Sequence, residues 1–223
     1  MKSDRITARF VGALFLAAMV TSLAGGGILE TILGAPDYLA AAYAKRSLVL
    51  VGVLLELTCA LAVVGIAVVL YPVLKRHHEA MALGYVGFRV LEAAAIAGAV
   101  ISPLSIIKLS RDFLEAEASE ASHIQALGSL LLDVRAQLLG LILVVAFCAC
   151  AFLLYTIFYK SKLVPRAISV WGLGATALLL AYNLLAVFGH DGGMILALPM
   201  ILNEIFLGIW LLARGFNTRT YPL

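Results

Sequence analysis

Long apolar runs separated by short polar segments dominate the chain. A helix needs about 20 apolar residues to cross the roughly 30 Å hydrocarbon layer of a bilayer. Six runs meet this requirement, at roughly 10–29, 47–73, 81–107, 129–159, 166–188 and 193–214. The segments between them are too short to fold as soluble domains. The pattern predicts an all-α integral membrane bundle of six transmembrane helices, organised as a single domain over residues 1–223.

Composition supports a membrane class. Hydrophobic residues make up 63% of the 223 positions and charged residues 13%, whereas a soluble domain carries about a quarter charged residues. A lipid bilayer is therefore the expected partner of the outer surface. The basic residues are dispersed, which argues against nucleic-acid binding. Cys59, Cys148 and Cys150 lie in apolar stretches and are interpreted as buried thiols.

The positions of Lys and Arg predict the orientation. The first apolar run follows Lys2, Arg5 and Arg9 and resembles a signal peptide, but we expect a retained helix. With the N-terminus inside, ten basic residues fall in inner segments and four in outer segments. Both termini are predicted to be cytoplasmic, in a bacterial inner membrane.

The connecting segments differ in character. Residues 35–46 are expected to form a short interfacial helix with Tyr38 at headgroup depth. Residues 110–122 are acidic and are interpreted as a solvated outer loop, and residues 189–193 as a tight turn. Residues 119–133 are either a separate surface helix or the first turns of the fourth span.

Polar residues inside the spans are the candidate functional residues, because each is costly in lipid unless it is paired or hydrated. The ionisable candidates and the two amides are Glu56, Arg89, Glu92, Asp133, Arg135, Asn183, Asn203 and Glu204. They are expected at overlapping depths, from the middle of the membrane towards its outer face. We interpret them as candidate ligand- or proton-binding residues.

Spacing restricts how these residues can pair. Arg89 and Glu92 are three positions apart and can pair on one helix face. Asp133 and Arg135 point about 200° apart, so at least one needs a partner on another helix.

Neither Glu56 nor Glu204 has a basic neighbour in its own helix. Each must meet an arginine from another span, hold a proton or bind a cation. Four carboxylates face two guanidinium groups, so a shared cavity would favour protonation of at least one carboxyl group. The alternative is that the charges neutralise each other and fix the helix packing.

Motifs for known chemistry are absent from the sequence. It contains no nucleophile elbow, phosphate-binding loop or His-Glu-x-x-His pattern. The histidines lie in loops or at span ends, so we predict no cofactor and no metal site. Gly84 and Gly87, with the alanines of 93–99, predict close packing of the third helix.

Three stretches resemble a known family. They read LYPVLKRHHEAMALGYVGFRVLEA (70–93), LVPRAISVWGLGA (163–175) and NEIFLGIWLLARGFN (203–217). The resemblance is to the bacterial family catalogued as domain of unknown function 4386 and covers roughly 5–217. His77-His78 departs from its pattern. The resemblance implies a multi-pass membrane protein and brings no activity, substrate or cofactor.

Three functions fit these observations. The first is a proton-coupled carrier of a small solute or an ion, with a homodimer to offset the small number of spans. The second is a non-catalytic accessory or structural subunit that binds another membrane protein. The third is an intramembrane carboxylate- or metal-dependent enzyme, which the missing motifs make the least favoured.

Overall fold

The computed structural model describes residues 2–190 and 194–217, which contain helices and no strand. The helices are α1 (Lys2–Leu33), α2 (Tyr38–Ala44), α3 (Arg46–Leu74), α4 (Glu79–Ala99), α5 (Ile101–Glu115), α6 (Ala118–Gln137), α7 (Val144–Ser161), α8 (Arg166–Val187) and α9 (Leu198–Ala213). A π-helical turn, Leu138–Leu143, joins α6 to α7, and a 3₁₀ turn, Met194–Ala197, precedes α9.

In the part of the chain that the structure describes, six helical segments are long and apolar enough to cross a membrane, which confirms the predicted fold class. They span Asp4–Leu33, Arg46–Leu74, Glu79–Glu115, Ser119–Ser161, Arg166–Val187 and Ile195–Ala213. The third joins α4 to α5, and the fourth runs from α6 through the π-helical turn into α7. Residues 119–133 are therefore the first turns of the fourth segment. Part of the predicted turn at 189–193 lies outside the described residues.

The six long segments form a closed ring. α1 packs against α3 and α9, α4 packs between α3 and α7, and α8 packs between α7 and α9. The two ends of the ring differ. At one end Asp4 lies 3.6 Å from Arg76, and the Asn217 amide donates to the Leu163 carbonyl; we call this the termini end. The opposite end carries α2 and is called the α2 end.

The interior of the ring is filled with side chains near the termini end. Tyr85, Tyr155 and Phe158 are fully buried there, and they pack with Leu70 of α3 and Leu211 of α9 in one core. Because lipid is as apolar as these side chains, close van der Waals packing holds the helices together. The termini end of the bundle is closed by this packing.

Glycines allow α1 to approach its two neighbours closely. A Cβ at Gly12 would lie 2.7 Å from the Gly208 carbonyl oxygen of α9, and a Cβ at Gly25 would lie 3.0 Å from that of Gly52 in α3. At Gly87 a Cβ would meet no atom within 4 Å. The prediction of close packing at that glycine of the third helix is therefore wrong.

The α2 end differs from the prediction in two ways. α2 confirms the short helix, but the Tyr38 ring is buried against α6 and its hydroxyl donates to the Gln125 carbonyl. Burial raises the pKa of the Tyr38 hydroxyl. The acidic segment 110–122 is a helical hairpin, broken at 116–117, rather than a loop. Ile106 and Ile124 pack in the same apolar cluster as Tyr38, which keeps both arms of the hairpin helical.

Candidate functional site

A cavity of about 210 Å³ lies inside the ring and is lined by every long segment. Each segment contributes at least one side chain, among them Phe15, Cys59, Glu92, Phe147, Leu179 and Glu204. This space is called the central cavity.

Arg89 is the cation of the central cavity. Its Nη1 donates to both oxygens of Glu92, at 3.2 and 3.0 Å, and its Nε donates to the Tyr85 hydroxyl at 3.2 Å. The three residues lie on one face of α4 because they are three and four positions apart. The local pair of Arg89 and Glu92 is thus the one that the spacing predicts.

Three aromatic rings surround the Arg89 guanidinium. Its carbon lies 5.8 Å from the ring centre of Phe15, 5.5 Å from that of Tyr85 and 5.7 Å from that of Phe147. These distances permit cation–π attraction, which strengthens as water is excluded. The arginine is only 2% exposed, so the rings and carboxylates take the place of its hydration shell.

Glu204 brings a second carboxylate to the same arginine from α9. Its Oε1 lies 3.9 Å from Arg89 Nη2, beyond hydrogen-bond distance. No hydrogen bond reaches the Glu204 carboxylate from the residues that the structure describes. Cys150 Sγ lies 3.7 Å from the other carboxylate, Glu92 Oε2. Two carboxyl groups thus share one guanidinium, and Glu204 is the less engaged of the two.

A second cavity, of about 500 Å³, extends from the central cavity towards the α2 end. Ser22, Cys59, Ile96 and Leu143 line both spaces, so the two are contiguous. We call the larger space the outer cavity. It is only partly enclosed, because Glu30 and Gly34, which line it but not the central cavity, are exposed.

A balanced ion pair lies on the wall of the outer cavity. Arg135 of α6 donates to Glu56 of α3 from both terminal nitrogens, with Nη1 at 3.0 Å from Oε2. The same Nη1 lies 3.1 Å from the Ala99 carbonyl oxygen. In a regular helix the amide of residue 103 would bond that oxygen, but Pro103 has no N–H. Arg135 therefore satisfies a carbonyl that the proline leaves free.

The π-helical turn begins three residues after Arg135. Its wider turn, with bonds from residue i to i+5, shifts the register of the helix that follows. Leu139 and Leu143 of this turn line the outer cavity, and Leu143 also lines the central one. The turn thus shapes the passage between the two cavities.

One face of α1 follows the route from the centre to the α2 end. Ser22, Gly26 and Glu30 of α1 and Gly34, just after its end, are spaced four residues apart, and all line the outer cavity. Glu30 is not among the residues predicted from the sequence, because it lies at the edge of an apolar run. The four-residue spacing of small and polar residues was the signal that could have identified this face.

The six ionisable candidates do not share one cavity. Arg89, Glu92 and Glu204 line the central cavity, and Glu56 and Arg135 line the outer one. Asp133 is exposed and belongs to neither lining. Its side chain points away from the bundle because α6 can turn only one side inwards, and Arg135 occupies that side.

The two amides also lie outside both cavity linings. Asn183 donates to the Leu179 carbonyl of its own helix at 3.0 Å. Asn203 is fully buried and donates to the Ile168 carbonyl of α8 at 3.1 Å, while its Oδ1 has no hydrogen-bond partner in the described part of the chain. Asn203 thus joins α9 to α8.

The histidines at the termini end have local structural surroundings. His78 Nδ1 accepts a hydrogen bond from the Met81 amide at 3.3 Å, which caps the start of α4. Burial, and then the charge of Arg76, lower the pKa of His77. Within 2–190 and 194–217, no three His, Cys, Asp or Glu side chains are grouped to hold a metal ion.

Comparison with known proteins identifies the family. A family model described as Domain of unknown function (DUF4386) matches residues 10–215, which is nearly the whole chain. No curated protein and no solved structure matches the chain. The match includes both cavities and all the residues that line them. The chain belongs to the family described as Domain of unknown function (DUF4386).

Proposed function

We propose that this protein is a proton-coupled carrier of small solutes in a bacterial inner membrane. The solute binds in the central cavity, and Glu204 carries the coupled proton. The observation that carries this proposal is a charged cavity that is lined by all six membrane-spanning segments and is continuous with the outer cavity, which extends towards the α2 end.

The shape of the bundle supports alternating access. A carrier exposes its central site to one side of the membrane at a time. Here the outer cavity leads from the centre towards the α2 end, while Tyr85, Tyr155 and Phe158 fill the termini end. With both termini in the cytoplasm, this arrangement is the outward-facing state. Six spans are few for a carrier monomer, so the proposal includes a homodimer.

Charge balance supports Glu204 as the proton carrier. Arg89 can neutralise one of the two carboxylates, and an uncompensated charge in an apolar site is costly. Protonation of Glu204 removes that cost. The proton is released when a bound ligand, or opening of the cavity, compensates the negative charge of the Glu204 carboxylate. Titratable groups face Glu204 from α3, α4 and α7, and they are Cys59, Arg89, Glu92, Cys150 and Tyr155. The lining residues from α1 and α8 are not titratable.

The test is solute uptake into proteoliposomes that contain the purified protein. A panel of cationic, anionic and zwitterionic solutes is supplied with and without an imposed pH gradient. We expect the gradient to drive uptake of at least one class, and Glu204→Gln to abolish the gradient dependence. Asp133→Asn is the matched control, because it removes a carboxylate from a spanning segment but outside both cavities.

Two results would contradict the carrier. One is uptake in no solute class above that of protein-free liposomes. The other is a gradient response that Glu204→Gln and Asp133→Asn leave equally intact, which would separate the transport from the central cavity.

A non-catalytic accessory subunit is the second candidate. The observation that favours it is the pair of Glu56 and Arg135, which joins α3 to α6 with no charge left over. In this view the buried charges fix helix packing, and the partner is another membrane protein. Extraction in mild detergent distinguishes the two, since an accessory subunit should co-purify with a stoichiometric second chain. Recovery of the protein alone as a monodisperse species would count against it.

A further inference from the structure

The walls of the two cavities carry more acidic than basic groups. Four carboxylates and two guanidinium groups line them, and they are Glu30, Glu56, Glu92, Glu204, Arg89 and Arg135. Among the residues that the structure describes, no Lys or His lines either cavity. Low-dielectric walls concentrate the field of such an excess, which attracts cations along the route.

The central cavity disfavours an anionic ligand. Arg89 is its cation, and Nε and Nη1 are already bonded to Tyr85 and Glu92. An anion that bound Arg89 would have to displace Glu92 or lie close to Glu204, whose Oε1 is 3.9 Å from Arg89 Nη2. Since like charges repel strongly where water is excluded, such binding would be unfavourable. A cation meets the opposite situation, because Glu204 is not fully neutralised.

Apart from Ser22 and Cys59, the remaining lining of the central cavity is apolar and aromatic. Phe15 and Phe147 contribute rings, and Met19, Ile96 and Leu179 contribute aliphatic surface. A ligand with an apolar body fills such a site without losing hydration of its own. Aromatic faces also attract quaternary and protonated amines. Polarity and charge therefore agree on one class of ligand.

We infer that the transported solute is a small organic monocation with an apolar body, such as a protonated arylalkyl amine or a quaternary ammonium ion. The inference rests on the proposed carrier function and deepens it. The cationic group lies beside the Glu204 carboxylate, and the apolar body contacts Phe15 and Phe147. The ligand enters from the α2 end through the outer cavity.

Cation and proton compete for the same negative charge. When the cation binds, Glu204 releases its proton to the solution, and one positive charge replaces another. Binding should therefore weaken as the pH falls, by up to tenfold per pH unit where Glu204 is protonated. The exchange of one proton for one cation would make the carrier an antiporter.

The experiment compares two probes of similar size and permanent charge. Phenyltrimethylammonium and benzenesulfonate do not titrate between pH 5 and pH 9, so any pH dependence comes from the protein. Isothermal titration calorimetry of the full chain in detergent is run in buffers of different ionisation enthalpy, which gives the protons released per ligand. The variants are Glu204→Gln and Glu204→Asp, with Asp133→Asn as control.

The expected result has three parts. Phenyltrimethylammonium binds, binds more tightly at high pH, and releases close to one proton. Glu204→Gln weakens binding at least about tenfold and removes the proton release, since a buried opposite charge is lost. Glu204→Asp keeps both properties, and Asp133→Asn matches the wild type. Size-exclusion profiles identical to the wild type establish that the variants are folded.

The inference is overturned if benzenesulfonate binds as tightly as phenyltrimethylammonium, if neither probe binds, or if Glu204→Gln leaves cation binding unchanged. Failure of this inference can be distinguished from failure of the proposed carrier function. Gradient-driven uptake of a neutral or anionic solute that still depends on Glu204 would retain the proposed function and remove only the monocation. Absence of any gradient-driven uptake would remove both.

Discussion

The two arginines inside the bundle lie in opposite electrostatic situations. Arg135 donates from both terminal nitrogens to a single carboxylate, that of Glu56, and its Nη1 also donates to the Ala99 carbonyl. Arg89 meets one carboxylate directly and a second, from Glu204, at 3.9 Å. The first site is balanced and joins two spans. The second has an acidic excess around an arginine that is only 2% exposed, and only such a site has charge available for a proton or ligand.

The largest effect should come from removing the cation of the central cavity. Arg89→Gln leaves Glu92 and Glu204 buried without a positive partner, which should cost about 3–5 kcal/mol of the free energy of unfolding. Unfolding in mixed micelles measures this loss.

The double variant Arg89→Gln with Glu92→Gln is the control for Arg89→Gln, because it removes one of the stranded charges. It should recover most of the lost stability. A loss below about 1 kcal/mol in Arg89→Gln alone would show that water already compensates these carboxylates.

Removing the cation of the outer cavity should have a smaller effect. Arg135→Gln strands Glu56, but the outer cavity is partly open and water can hydrate the carboxylate. We expect a loss of about 2 kcal/mol in the same unfolding measurement, mostly regained when Glu56→Gln is added. A cost equal to that of Arg89→Gln would contradict the contrast between the two sites.

Pro103→Ala should reduce the contribution that Arg135 makes to stability through the Ala99 carbonyl. The new amide N–H can bond the Ala99 carbonyl, so that oxygen no longer depends on Arg135. In the Pro103→Ala background the cost of Arg135→Gln should fall by about 1 kcal/mol, the typical value of one hydrogen bond. A double-mutant cycle measures this coupling. Strict additivity of the two substitutions would argue against the shared carbonyl.

The smallest effect should come from Asp133, the spanning-segment carboxylate outside both cavities. Asp133→Asn should change neither the unfolding transition nor any solute binding beyond experimental error. The same two assays check this expectation. A measurable loss would mean that Asp133 contacts a ligand or a second protein chain.

Several features of the fold and the site were predictable because they are local. The number of spans follows from run lengths, since the hydrocarbon thickness sets a minimum helix length. The pair of Arg89 and Glu92 follows from helical geometry alone. The extension of the third segment to Glu115 was not predicted, because charged residues past the membrane boundary can remain helical when they pack on α2 and α6.

Other features could not be read from local patterns. Glu56 and Arg135 are 79 positions apart in the chain, and either arginine was an equally possible partner for either unpaired glutamate. From the sequence, either Asp133 or Arg135 could face the interior, because the sequence does not give the rotation of α6 about its axis. That rotation is set by packing against α5 and by the π-helical turn, neither of which leaves a distinct signal in the sequence.

The sequence by itself determined the membrane class, the six spans and the pairing of Arg89 with Glu92, because bilayer thickness and helical geometry impose those requirements on any chain. Only the tertiary structure decided which charges share a cavity, that α1 closes a ring with α9, and that Glu204 rather than Asp133 faces the centre. Lipid surrounds every helix uniformly and cannot specify which face turns inwards. Close approaches such as that of Gly12 to Gly208, and the need of each buried charge for a partner, make that choice.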